Sequence, residues 1–132
     1  MCMVVKGKPK FRRSLFPHTY YKVLGTNMDG WFFSPYQASF VEIGKDYKIS
    51  EDTEPDVRPW LYDEWEVYGG CYHLFRKKED ADRSAKYLTE RSGGVKHVVV
   101  KAVVPAGTRC VKGTFGSAKS VAVRRVRYKK ID

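Results

Sequence analysis

Eight residues near the carboxyl end, His97-Val98-Val99-Val100-Lys101-Ala102-Val103-Val104, constrain the fold more than any other segment. β-Branched side chains are stiff at Cβ and pack well on a pleated surface, so the run reads as a strand. Val98 to Val104 is nearly all apolar instead of alternating, which is the pattern of a central strand covered on both faces. One convincing helix, from about Glu79 to Arg91, is available as a cover. Glu79, Asp80 and Asp82 stand at its amino end, with Lys86 and Arg91 near its carboxyl end, so its charges complement the macrodipole. Ala81, Ala85 and Leu88 fall on one face at helical spacing, and Gly93-Gly94 supplies a left-handed cap. That small-residue face is expected to lie on a sheet surface including Val99 or Val100 and Val103 or Val104.

The remaining strand signals are shorter. Thr19 to Leu24 reads as a strand, turned at Asp29-Gly30 into Trp31-Phe32-Phe33, with Ser34-Pro35 ending it. Tyr47 to Ile49, Trp65 to Tyr68, Cys71 to Phe75, Thr108 to Val111 and Ser120 to Ile131 complete the set. In the last of these, Val121 and Val123 are out of phase with Val126 and Tyr128, and a β-bulge at Arg124-Arg125 restores register. The expected fold class is α+β: a mostly antiparallel, curved sheet with one main helix at about 79–91. A chain of 132 residues suits one domain. The expected division is a basic extended arm at 1–17, broken by Gly7, Pro9 and Pro17, and a single α+β domain at 18–132.

Charge gives the main functional signal. Arg91 to Asp132 holds eleven Lys or Arg and a single acid, and Met1 to Arg13 holds five basic residues and none. Between them, Glu51 to Glu66 holds seven acids against Arg58 alone. Segregated positive charge on a β-surface points to an anionic partner, because it concentrates phosphates or acidic groups nearby. The plainer alternative is that the acidic, proline-containing loop from Ser50 to Pro59 folds back and neutralises the basic strands. Arg124, Arg125, Arg127, Lys129 and Lys130 surround Tyr128, and Lys6, Lys8, Lys10, Arg12 and Arg13 surround Phe11. Basic side chains neutralise phosphates and an exposed ring stacks on a base, so these residues are the expected nucleic-acid or polyanion contacts. The stretch Gly113 to Ser120 lacks the spacing of a phosphate loop and no helix pattern follows it, yet it offers backbone N–H groups and Lys119 to an anion. No motif for base-specific reading is present, so affinity without sequence readout is expected.

The cysteines argue against several chemistries. Cys2, Cys71 and Cys110 are odd in number and widely spaced, which gives no disulfide framework and suits an intracellular chain that is not secreted. No apolar run reaches the roughly 18–20 residues needed to cross a bilayer, so no membrane partner is expected. Cys71, His73, His97 and Cys110 match no zinc-ligand spacing, and neither metal nor cofactor is expected. His18 stands before a strand as a packing or capping residue. Removal of Met1 would leave Cys2 with a thiol beside an α-amine that can serve as its base, an arrangement for nucleophilic catalysis. Cys2 is therefore the candidate nucleophile, and an enzyme reading stays open through it or through a degenerate transferase-like cleft near Tyr21, His73 and the central strand.

Several segments also occur together in a suggestive order: Met1-Cys2, Tyr21-Lys22-Val23, Ser34-Pro35-Tyr36, Gly44 with Tyr47, Tyr72-His73-Leu74-Phe75, Glu79-Asp80-Ala81, Val104-Pro105-Ala106-Gly107-Thr108 and Ala118-Lys119-Ser120. In these the chain resembles a loose group of short proteins from phages and large DNA viruses. The resemblance implies a viral accessory or virion protein, in the host cell or the particle, with viral structural proteins among its partners. It implies no activity. The Tyr-rich first strand and the late Pro-x-Gly-Thr turn also resemble ADP-ribosyltransferase sheets. That family's chemistry needs a late Glu, and no Glu follows Glu90 here, so this likeness implies a related sheet without the catalysis.

Overall fold

The computed structural model describes residues 3–27, 29–35 and 39–131. Strands β1 (Met3–Lys6) and β2 (Arg12–Arg13) lead into the long β3 (His18–Thr26). Short strands β4 (Phe32–Phe33), β5 (Phe40–Val41), β6 (Asp46–Lys48) and β7 (Asp56–Pro59) follow. Then come β8 (Glu64–Gly69), β9 (Tyr72–Phe75) and the helix α1 (Lys78–Arg91). Strands β10 (His97–Val104), β11 (Arg109–Phe115), β12 (Ala118–Val123) and β13 (Arg125–Lys130) complete the chain. All pairings are antiparallel, in the order β6-β13-β10-β3-β9-β12-β11-β1-β8-β7, and the sheet curls into a half-barrel.

The long β10–β3 ladder, from His97 opposite Gly25 to Val104 opposite His18, is the spine. Val100, Ala102 and Val104 of β10 turn inward and are buried with Tyr20, Leu24 and Leu74. The outer residues, Val99, Lys101 and Val103, are only partly covered. The near-continuous apolar run is thus explained by a full interior on one side and a helix over part of the other.

That helix docks as its small face predicts. Ala81 and Ala85 are buried against Val23 and Phe75, with Val99 and Leu88 packed alongside. Val100 and Val104 face the interior of the curl, so of the expected β10 contacts Val99 is the one that meets the helix. Val23 and Phe75, on β3 and β9, supply the rest. Ser92 N–H donates to the Leu88 carbonyl at 3.0 Å, and Gly93 and Gly94 adopt φ of 70° and 99°, closing the helix as the sequence indicates.

The expected bulge at Arg124-Arg125 is a sharper event. β12 pairs with β9 and β11, whereas β13 pairs with β10 and β6, so the ribbon changes neighbours at Arg124. One extra residue reverses the side-chain phase, and Val121, Val123, Val126 and Tyr128 all reach the same interior. This corner carries the chain from one wing of the sheet to the other.

The division into arm and domain is corrected. β1 lies between β8 and β11, with Met3 opposite Val67 and Val4 opposite Thr114, and Met3 is fully buried beside Cys71 and Ala122. β2 pairs with β11 as well. The two valines and Met3 have apolar surface to bury, and Gly113 leaves room: a Cβ there would stand 2.5 Å from the Val4 carbonyl oxygen. The Ser50–Pro59 loop is corrected in part, since β7 pairs with β8 at the far edge. No helix among the described residues is long and apolar enough to cross a membrane.

Candidate anion-binding cleft

The structure divides the expected basic contacts into three kinds. Arg124 and Tyr128 are buried and drop out as direct contacts. Tyr128 is 2% exposed, its ring stands 6.1 Å from that of Tyr47, and burial raises its phenol above the ordinary range. It cannot stack on a base. Arg124 is 8% exposed and donates to the carbonyls of Gly70, Thr53 and Ser50, the last at 3.0 Å. Its fork satisfies backbone acceptors that the 50–54 loop leaves without a ladder. The second kind is partly spoken for. Arg125 pairs with Asp46 at 2.7 Å, Lys8 and Lys130 lie over the rings of Trp65 and Phe32, and Lys6 stands opposite Glu64. The Lys119 N–H meets Asp80 Oδ2 at 3.4 Å, so the Gly113–Ser120 stretch is a β11–β12 hairpin that does not present this group to an anion. The third kind, Lys10, Arg12, Arg13, Arg127 and Lys129, is exposed. Cys2 lies outside the described residues.

Register brings some of these together with residues that the sequence does not single out. The β2–β11 pairing sets Arg13 directly opposite Arg109, and the β6–β13 pairing sets Lys48 opposite Arg125. Both pairs line one cavity of about 100 Å³, together with Glu51, Gly107 and the buried Arg124. The lining thus holds five cationic side chains and one carboxylate. A second cavity, about 290 Å³, shares Glu51, Arg109 and Arg124 with the first and continues to Lys8, Phe11 and Pro55. Glu51, Arg109 and Arg124 are thus a wall common to both.

Glu51 reaches Arg13 with one carboxylate oxygen and Arg109 with the other, each at 3.6 Å. The acidic loop therefore does fold back onto the basic strands, but with one loose bridge where several cations gather. On the outer face of the sheet, the β10–β13 register adds a third like pair, Lys101 opposite Lys129, with Arg127 next along the strand. Like charges directly opposite on one face destabilise a sheet by roughly 0.2–1 kcal/mol per pair. Lys48, Arg109 and Glu51 carry no signal in the linear sequence, because only strand register makes them neighbours.

Elsewhere, Cys71 Sγ lies 3.7 Å from His73 Nε2, and Lys22 Nζ donates to the His73 carbonyl at 3.1 Å. Burial pushes the Cys71 thiol up to about 12 and the His73 imidazole down to about 4. Both are neutral at physiological pH, so the pair makes no thiolate nucleophile. His97 meets the Val95 carbonyl at 2.9 Å through Nδ1, and Cys110 Sγ points to the Arg12 carbonyl at 3.7 Å. Among the described residues no three His, Cys, Asp or Glu side chains gather as metal ligands. No protein-family model, curated protein or solved structure matches the chain.

Proposed function

We propose that the protein binds nucleic acid or another polyanion through the arginine cleft and the basic strip of β10 and β13. On the strength of the segment order described above, the proposal places this binding in a virus, as an accessory or virion protein. The observation that carries the reading is repeated facing of like charge: Arg13 against Arg109, Lys48 against Arg125, and Lys101 against Lys129. Glu51 bridges the first pair only loosely and Asp46 engages Arg125 of the second, so each pair keeps positive charge that a phosphate neutralises, and phosphate contacts from Lys and Arg release condensed counterions. The test is an anisotropy titration with single-stranded DNA, RNA and heparin at low salt. Replacing Arg13 and Arg109 together, or Lys101, Arg127 and Lys129 together, should weaken binding to all sequences alike, and Lys86→Ala on the helix should not. Failure of all three polyanions to bind refutes the reading.

A second reading, an interaction protein meeting acidic protein surfaces, is favoured by exposed apolar side chains. Leu15 and Phe16 are 85% and 69% exposed, close in sequence to Arg13. At the β7–β8 turn, Trp60, Leu61 and Tyr62 are also exposed, with Tyr62 at φ 55°. Light scattering and recovery of a partner complex that survives nuclease and high salt would support this reading over the first.

A further inference from the structure

We infer that the two cavities form one subsite for a single nucleotide unit with an unstacked base, and that Glu51 holds the phosphate position until the ligand displaces it. This rests on the polyanion reading and narrows it to single strands. The smaller cavity, about 100 Å³, presents Arg13, Lys48 and Arg109 to a group of phosphate size, with Arg125 in its lining but held by Asp46. The larger, about 290 Å³, lies at the bottom of the small-molecule range. Phe11, Pro9, Pro55 and Val57 give it apolar wall for a flat ring, among polar groups that include Thr53 and the Glu54 carboxylate. Glu51, Arg109 and Arg124 border both cavities, so a phosphate in one and a base in the other can belong to the same nucleotide. A duplex keeps its bases stacked and paired, and has none to offer the larger cavity.

Glu51 has the features of a stand-in anion. Its carboxylate spans two guanidinium groups at 3.6 Å each, longer than a charge-assisted hydrogen bond of roughly 2.7–2.9 Å. Its side chain is 55% exposed, so it can swing out. The loop that bears it stays in place, because Arg124 holds the carbonyls of Ser50 and Thr53. A ligand phosphate replaces one carboxylate charge with a stronger and better-matched one.

The experiment uses the full chain in calorimetric titrations with a nucleoside monophosphate, ribose 5-phosphate and inorganic phosphate, beside a single-stranded oligonucleotide. The nucleoside monophosphate should bind about tenfold tighter than ribose 5-phosphate, the advantage of a stacked base. Glu51→Gln should tighten all three phosphates about threefold or more, since it removes the competing charge. Phe11→Ala should erase the preference for the nucleoside monophosphate and leave ribose 5-phosphate unchanged; Phe11→Leu, which keeps the packing, should do the same if the alanine variant unfolds. Equal affinity for nucleotide and sugar phosphate overturns the base cavity, and unchanged or weaker phosphate binding by Glu51→Gln overturns the role of Glu51. Oligonucleotide binding that persists through either result leaves the polyanion reading standing, whereas loss of oligonucleotide binding in the wild type removes both.

Discussion

Replacing Lys22 with methionine should make the protein more stable at neutral pH. Lys22 lies between Tyr20 and Leu24 on the β3 face that builds the interior, and its ammonium meets the His73 carbonyl at 3.1 Å. Burial lowers its pKa from 10.5 to about 8, with Cys71 acting in the opposite direction. That drop corresponds to about 3 kcal/mol against the charged form. The lysine stem keeps some contact with water and the carbonyl bond is lost on substitution, so the net gain for Lys22→Met is about 1–2 kcal/mol. The sign against pH follows from proton counting. Between about 8 and 10.5 the unfolded chain holds the lysine proton and the folded chain does not, so wild-type stability from this group rises with pH. Cys71 opposes it above 9, because its folded thiol keeps a proton that the unfolded thiol has lost. The difference between wild type and variant isolates Lys22: the variant's advantage should be full below about 8 and shrink as pH rises toward 10.5. Paired urea melts across that range provide the assay. A variant that is less stable than wild type at neutral pH, or an advantage independent of pH, refutes the reasoning.

Three further outcomes follow from the same geometry. His73 is held neutral, with its pKa lowered from 6.5 to about 4 by burial first and Lys22 second, so stability should fall as pH drops below 6.5. His73→Gln should flatten that fall in the part of the range above carboxylate titration, as followed by thermal melts. Arg124→Met should cost about 2–4 kcal/mol in urea melts, because three carbonyls lose a charged donor and the 50–54 loop loses its anchor. A change within the noise of a surface substitution would mean that the loop does not depend on it. Ala85→Leu should cost about 1–3 kcal/mol by overpacking the contact with Val23 and Phe75, while Lys86→Ala should change little; equal urea midpoints for the two would contradict the docked helix.

The sequence signals worked where they were local. The valine run, the Ala81/Ala85 face, the Gly93-Gly94 cap and the Asp29-Gly30 turn each depend on a few neighbouring residues, and each is found where its chemistry places it. What failed was anything set by register between distant strands. Met3 to Lys6 carries too few residues to announce a strand, yet it lies between β8 and β11 because Gly113 admits it. Tyr128 looked available for stacking because its neighbours are basic, but the corner at Arg124 turns it inward. Arg124 itself reads as one more surface cation, and becomes a buried staple only once the 50–54 loop is folded over it. The cleft shows the same limit: Arg13 and Arg125 stood out by composition, whereas Lys48, Arg109 and Glu51 gain meaning only from the pairings that set them together.

The salt dependence of polyanion binding tests the central claim most directly. Anisotropy with a labelled single-stranded oligonucleotide, titrated across a series of salt concentrations, yields the slope of log affinity against log salt. Each phosphate contact contributes roughly 0.7 to that slope for a single strand. The account predicts a steep negative slope for the wild type, reduced by about 1 or more when Arg13 and Arg109 are both neutralised. Tight binding with no salt dependence, or a slope unaltered by that double substitution, would contradict it.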